Sequence, residues 1–394
     1  MNLLVKKKSA EKMRKGYPLI EKEAVVNRDA LQKEGELFRV MDEKGNFLGQ
    51  AYYGIQNKGV GWIISHNQNE KINQAFFEGK LKAAFNHRKP LFADEDTTAF
   101  RVFNGEGDGI GGMTIDYYDG HYVIQWYSKG IYAFRDLVLP ALQQTADCKA
   151  IYQKKRFDDK GQYVEDNDFV IGVEPDFPLI VKENGINFAT YLNDGAMTGI
   201  FLDQRDVRKA IREKYSKGAD MLNMFSYTGA FSVNAALGAA TVTTSVDVAK
   251  RSRPKTIEQF AVNGIDMERQ QIVVDDVFQY FKYAARKGKE FDLVVLDPPS
   301  FAKTKKRIFS AAKDYTVLLK ETIAITKNQG VIVASTNCSA FDMKRFKGFI
   351  DTACKETGTK YKVLEEYRLP QDFRTSSAFP EGDYLKVVFF RISK

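Results

Sequence analysis

The spacing of hydrophobic and polar positions changes twice along the chain. Up to about residue 70 the apolar positions form short runs, Leu37–Met41, Phe47–Tyr53 and Gly59–Ile64, broken by turn residues such as Asp42-Glu43-Lys44-Gly45-Asn46. Short runs punctuated by Gly and Asn predict a small barrel or sandwich. Residues 70–89 set Ile72, Phe76, Leu81 and Phe85 among charges, a helical spacing. A second block, to about residue 190, mixes both periods. Phe100–Phe103 and Met113–Tyr117 read as strands around a Gly-rich segment, Asn104 to Gly109. The dipeptide Asp119-Gly120 joins the latter to Tyr122–Tyr127 as a two-residue hairpin. Residues 131–144 read as helix and Ala150–Gln153 as extended. The charged stretch Lys154 to Asp168 is expected to be an exposed loop, and Asn184-Gly185 marks another hairpin.

From about residue 200 strands and helices alternate. The pattern predicts helix over Asp203–Tyr215, Ala230–Leu237, Lys250–Val262, Val277–Arg286, Ala311–Thr326 and Phe341–Cys354. Strands are predicted over Met221–Phe225, Thr241–Val246, Gln271–Val274, Phe291–Leu296 and Gly330–Ser335. Such alternation calls for a doubly wound, mostly parallel sheet. Tyr361–Arg368 and Tyr384–Arg391 lack an intervening helix and should pair antiparallel. The expected organisation is three blocks, residues 1–70, 71–190 and 191–394, the last an α/β domain.

Composition narrows the class. The 394 residues are 44% hydrophobic and 28% charged, with no apolar run long enough to cross a bilayer and no apolar stretch after the charged start that would suggest a secretory signal. The cysteines Cys148, Cys338 and Cys354 are too few for a disulfide framework and point to a reducing, cytoplasmic setting. With only three histidines and no Cys-x-x-Cys pair, no metal site is expected. The net charge of +8 favours polyanions. It is concentrated near the start (Lys6, Lys7, Lys8, Arg14) and in one later loop (Lys303, Lys305, Lys306, Arg307). Both runs are candidate RNA contacts, or else solvated surface.

In an open α/β sheet ligands bind beyond the carboxyl ends of the strands, so the residues just after each strand are the ones that bear chemistry. After the first comes Phe225-Ser226-Tyr227-Thr228-Gly229, a small polar turn opening a helix, where backbone amides can face a carboxylate or phosphate. It lacks the Gly-x-Gly-x-x-Gly pattern of a dinucleotide site. After the second strand stands Asp247, suited to the two hydroxyls of a ribose. Asp276 follows the third, suited to an adenine amino group or, equally, to capping the next helix. After the fourth, Asp297-Pro298-Pro299 fixes a carboxylate and rigid carbonyls at the mouth of the sheet, an arrangement able to hold the edge of an extruded base. After the fifth, Cys338 could face the same cleft and add to carbon 6 of a pyrimidine, or be a small buried hydrophobe.

These residues, together with Arg101–Ile110, Thr198–Asp206, Phe225–Phe231 and Phe379-Pro380-Glu381-Gly382, resemble the RlmI-like branch of the large-subunit ribosomal RNA cytosine-5 methyltransferases over nearly the whole chain. The resemblance implies an N-terminal PUA domain, a small central α/β domain and a Rossmann-like class I methyltransferase domain. It implies S-adenosylmethionine as cofactor, held by the Phe225–Gly229 turn, Asp247, Asp276, Asp297 and the segment containing Gln204 and Arg205. Large-subunit ribosomal RNA would be the partner, Cys338 the nucleophile and Asp297 the base-holding carboxylate. The family's Ser-Cys-Ser-Gly stands here as Asn337-Cys338-Ser339-Ala340, and Asp297-Pro298-Pro299-Ser300-Phe301 also looks like enzymes that methylate guanine N7 without a cysteine. Methylation of a base nitrogen, and a non-catalytic RNA-binding factor, are the alternatives.

Overall fold

A computed structural model of the chain describes residues 1–157, 168–303 and 308–394. They form two compact units. The first comprises Met1–Val181, Tyr191–Thr198 and Gln371–Gly382; the second comprises Lys182–Thr190, Gly199–Pro370 and Asp383–Lys394.

The first unit carries two five-stranded sheets. One runs in the order Asn2–Val5, Leu37–Asp42, Phe47–Gln56, Gly59–Ser65, Leu19–Glu21. The other runs Phe169–Gly172, Ala150–Lys155, His121–Trp126, Met113–Tyr118, Ala99–Asn104. The Asp119-Gly120 hairpin forms as its sequence demands, with both residues at positive φ, 44° and 86°. Gln74–His87 is helical, and Asn73 caps it by accepting from the Phe76 amide.

Two features depart from the sequence pattern. The basic run near the start is a helix, Lys7–Arg14, that buries Ala10 and Met13. Two buried positions three apart in an eight-residue segment are too weak a signal to outweigh the strands around them. Nor are the ends of the charged stretch 154–168 exposed. Lys154 and Asp168 are buried and paired at 2.5 Å, and Lys154 also donates to the Gly195 carbonyl. Charge predicts exposure only where no partner waits in the fold. Residues 158–167 lie outside the described residues.

The second unit is built on a seven-stranded sheet. Its strands in chain order are β1 (Asp220–Met224), β2 (Val242–Asp247), β3 (Gln270–Val274), β4 (Phe291–Leu296), β5 (Thr326–Thr336), β6 (Lys360–Tyr367) and β7 (Lys386–Ser393). The spatial order is β3-β2-β1-β4-β5-β7-β6. β1 to β5 pair in parallel, while β7 runs antiparallel to both β5 and β6. The order reverses at β1, which makes the carboxyl ends of β1 and β4 the switch point.

Successive side chains of these strands alternate between two apolar faces. Leu222, Val294, Leu296, Ile332 and Phe390 pack on one side with helices α4 (Val277–Arg286), α5 (Ala311–Ala324) and α6 (Met343–Glu356). Met221, Leu293, Val295, Val333 and Phe389 pack on the other with α1 (Arg205–Ala210) and α2 (Ala230–Leu237). Burial on both faces is why these strands read as continuous apolar runs. The remaining helix, α3, spans Ser252–Ala261. Among the described residues no helix is long and apolar enough to cross a membrane.

Candidate active site

The turn after β1 gathers three left-handed residues within five positions. Phe225, Tyr227 and Gly229 all take positive φ, 61°, 51° and 80°. Two of the three are not glycine, so the surrounding contacts must hold the turn against its own preference. The Ser226 amide donates to the Val246 carbonyl and the Tyr227 amide to Asp247 Oδ2, both from the end of β2. The Thr228 hydroxyl donates to the Gly199 carbonyl, and the Tyr227 hydroxyl accepts from the Gly199 amide. The Phe201 ring lies 5.2 Å from that of Tyr227. Gly229 has no room for a side chain, because a Cβ there would stand 2.6 Å from Thr256 Cγ2 on α3.

Asp247 is therefore a structural strut as well as a candidate ligand. Its Oδ2 accepts from Tyr227 and its Oδ1 from the Ala249 amide, each at 2.9 Å, which leaves one lone pair per oxygen. Asp276 caps α4, with Oδ1 accepting from the Phe278 and Gln279 amides. Only its Oδ2 is left for a ligand.

Asp297 stands at the end of β4, with Gln204 and Ser335 against it. Gln204 Nε2 donates to Asp297 Oδ1 at 3.1 Å and to the Ser335 hydroxyl at 2.7 Å. Gln204 Oε1 is buried with no hydrogen-bond partner among the described residues. Withdrawal from water pushes the Asp297 carboxyl up to about 6, and the Asp203 carboxylate pushes the same way, while Ser335, Arg208 and Gln204 pull it back. Arg208 is held by a two-pronged pair with Glu183, at 2.7 and 2.6 Å, and donates to the Phe201 carbonyl. It thus ties the start of α1 to the segment before it. Arg205 is buried beside it and faces Asp206 at 3.8 Å.

Cys338 follows β5 and is buried, its amide donating to the Thr336 hydroxyl. The turn that carries it is stitched to the turn that carries Asp297: Ser300 Oγ donates to Asn337 Oδ1 at 2.6 Å. Cys148 and Cys354 have burial-raised thiols, at about 12 and about 11, as inert packing cysteines do. The basic segment after Asp297 begins on the strand Phe301–Lys303, which pairs with Ile308–Ser310. Lys305, Lys306 and Arg307 lie outside the described residues. Near the start of the chain, Lys6, Lys7 and Lys8 are exposed at the first turn of the Lys7–Arg14 helix, and Arg14 pairs with Asp42.

Residues 111–390 match the S-adenosylmethionine-dependent methyltransferases, and residues 3–66 a PUA-like domain. The chain belongs to the S-adenosylmethionine-dependent methyltransferase family. Among its relatives is a Bacillus subtilis protein named as a candidate ribosomal RNA large subunit methyltransferase, YwbD. That protein is 64% identical over 391 residues, which cover 99% of each chain. Ribosomal RNA large subunit methyltransferase I of Alteromonas mediterranea is 32% identical over 375 residues, 95% of this chain and 94% of that one. A solved structure of SMU.776, a candidate methyltransferase in complex with SAH, superposes with a TM-score of 0.92 at 37% identity. The match covers 99% of this chain and 100% of that one. These relatives agree with the RlmI-like resemblance read from the motifs.

The methyltransferase's residues fit its cofactor. The carboxylate of Asp247 could accept from ribose hydroxyls with its spare lone pairs. Gln204 Oε1, buried beside Asp297, is an acceptor without a donor among the described residues. Among the described residues no group of His, Cys, Asp and Glu could hold a metal ion. Sequence reasoning missed two parts of this site, Ser335 and Arg208. Neither carries a motif, and their charged and amide partners, Glu183 for Arg208 and Gln204 for Ser335, lie 25 and 131 residues away.

Proposed function

We propose that the protein methylates carbon 5 of a cytosine in large-subunit ribosomal RNA, with Cys338 as nucleophile and Asp297 holding the base. On this reading residues 1–70 form an RNA-binding domain, 71–190 a central domain and 191–394 the methyltransferase domain, and Lys6, Lys7 and Lys8 meet the phosphate backbone. The names of the relatives support the substrate. The observation that carries the chemistry is the hydrogen bond from Ser300 to Asn337, which links the Asp297 and Cys338 turns.

The thiolate of Cys338 adds to carbon 6, and the carbon 5–carbon 6 π pair moves to carbon 5, which becomes the nucleophile. S-adenosylmethionine supplies an electrophilic methyl group on a sulfonium centre and departs as a neutral thioether. The carbon 5 proton then leaves to a base, its electron pair restores the ring double bond, and the sulfur–carbon 6 bond breaks with its pair returning to Cys338. Asp297, half protonated near pH 6, can accept from the exocyclic amine when charged.

A second reading, methylation of a base nitrogen, draws on the burial of Cys338, which is 9% exposed. One experiment separates the two: transfer of a labelled methyl group to ribosomal RNA, with identification of the modified nucleoside, for the wild type and Cys338→Ala. The expected result is 5-methylcytosine from the wild type, and from Cys338→Ala no turnover with cofactor binding intact. A methylated guanine or adenine, or full activity in Cys338→Ala, overturns the covalent reading.

A further inference from the structure

Strand β7 reads Lys386-Val387-Val388-Phe389-Phe390, and its leading lysine is out of place. A lysine 2% exposed in an apolar strand is costly unless its charge has a use. Lys386 pairs in register with Thr336 on β5, two residues before Cys338. Its ammonium donates to the Cys338 carbonyl at 3.1 Å and to the Tyr384 carbonyl at 2.7 Å. The third N–H has no acceptor among the described residues.

We propose that Lys386 is the positioning residue for Cys338, anchoring its backbone through the carbonyl and placing a buried positive charge where the thiolate forms. The inference rests on the Cys338 reading above. Burial pulls the Lys386 ammonium below the usual lysine range, while Asp383 and the Cys338 sulfur hold it up. With the ammonium 3.1 Å from the Cys338 carbonyl, a thiolate on the same residue would form beside a buried positive charge. Other charged and titratable groups face the pair from several elements. Arg368 stands after β6, Asp342 caps α6, and Arg345 on α6 stacks over Phe341, as Lys386 itself does at 5.7 Å. Asp297 follows β4, and Tyr315 on α5 donates to the Ser335 carbonyl. A methylene-rich but neutral side chain in place of Lys386 would keep the packing and lose the field.

The test measures the pH dependence of iodoacetamide alkylation at Cys338, located by peptide mass spectrometry, in the full chain. Wild type, Lys386→Met, Lys386→Gln and Lys386→Arg are compared, with S-adenosylmethionine binding by calorimetry as the check that each is folded. Lys386→Gln keeps an amide donor for the carbonyl and covers the case in which Lys386→Met does not fold. The alkylation midpoint should move to higher pH in both neutral variants. Each step of one pH in that midpoint lowers the rate near pH 7 about tenfold, and Lys386→Arg should restore most of it. A folded neutral variant with the wild-type profile overturns the inference. The assay needs no RNA, so the outcome is independent of the target base. An inactive Cys338→Ala with a wild-type profile in Lys386→Gln refutes the role of Lys386 alone. An active Cys338→Ala refutes the nucleophile reading, whatever the profiles show.

Discussion

Replacing Asp297 with Asn should make the second unit more stable at neutral pH while removing its activity. Folding raises this carboxyl from an ordinary 3.8 to about 6. A raised acid favours the folded state in its protonated form, so the favourable contribution is complete below pH 3.8 and is lost as pH rises through about 6. Above that, the folded protein holds a charge the unfolded chain would hold more easily. The gap between the two values corresponds to about 3 kcal/mol at pH 8, falling to about 1.6 kcal/mol at pH 5 and about 0.5 kcal/mol at pH 4. Asparagine is nearly isosteric and never charged, and its amide can donate to the Gln204 oxygen, which has no partner among the described residues, if the Gln204 amide turns over. Urea unfolding at pH 5 and pH 8 measures the effect. The variant should gain about 1–3 kcal/mol over wild type at pH 8 and less at pH 5. Equal or lower stability at pH 8, or a gain that does not shrink on acidification, would refute the claim that burial strains this carboxylate.

Gly229→Ala places a Cβ 2.6 Å from Thr256 at a φ of 80°. The left-handed backbone costs about 1–2 kcal/mol before the clash is counted, and S-adenosylmethionine affinity should fall at least about tenfold by calorimetry; an unchanged Kd would show that the turn does not shape the cofactor site. In the first unit Arg88 forms a fully buried two-pronged pair with Asp108, both bonds at 2.7 Å, and donates to the Asp372 carbonyl. Arg88→Met leaves Asp108 buried without that partner and should cost about 3–5 kcal/mol in urea unfolding; a loss below about 1 kcal/mol would mean that water reaches the carboxylate.

Several parts of this protein could be read from the chain because they depend on local chemistry. Two-residue turns such as Asp119-Gly120 need positive φ at both positions, and few residue pairs supply it cheaply. The alternation of apolar strands and amphipathic helices after residue 200 called for a doubly wound sheet, since only layers on both faces can bury such strands. The same logic put Asp247, Asp276, Asp297 and Cys338 at strand ends, hence at one edge of the sheet. Tertiary contacts decided the rest. Whether Asp276 caps a helix or meets a ligand depends on a side-chain rotamer, and the cap took one oxygen. That Lys154 is buried, that Gln204 bridges Asp297 to Ser335, and that Lys386 reaches the Cys338 carbonyl are pairings between residues far apart in sequence. Charge and polarity are written in the residue, but the partner that makes burial tolerable is supplied by packing. The sequence therefore determined which groups could do chemistry and at which end of the sheet, while the folded structure alone decided which of them are charged, strained or already engaged.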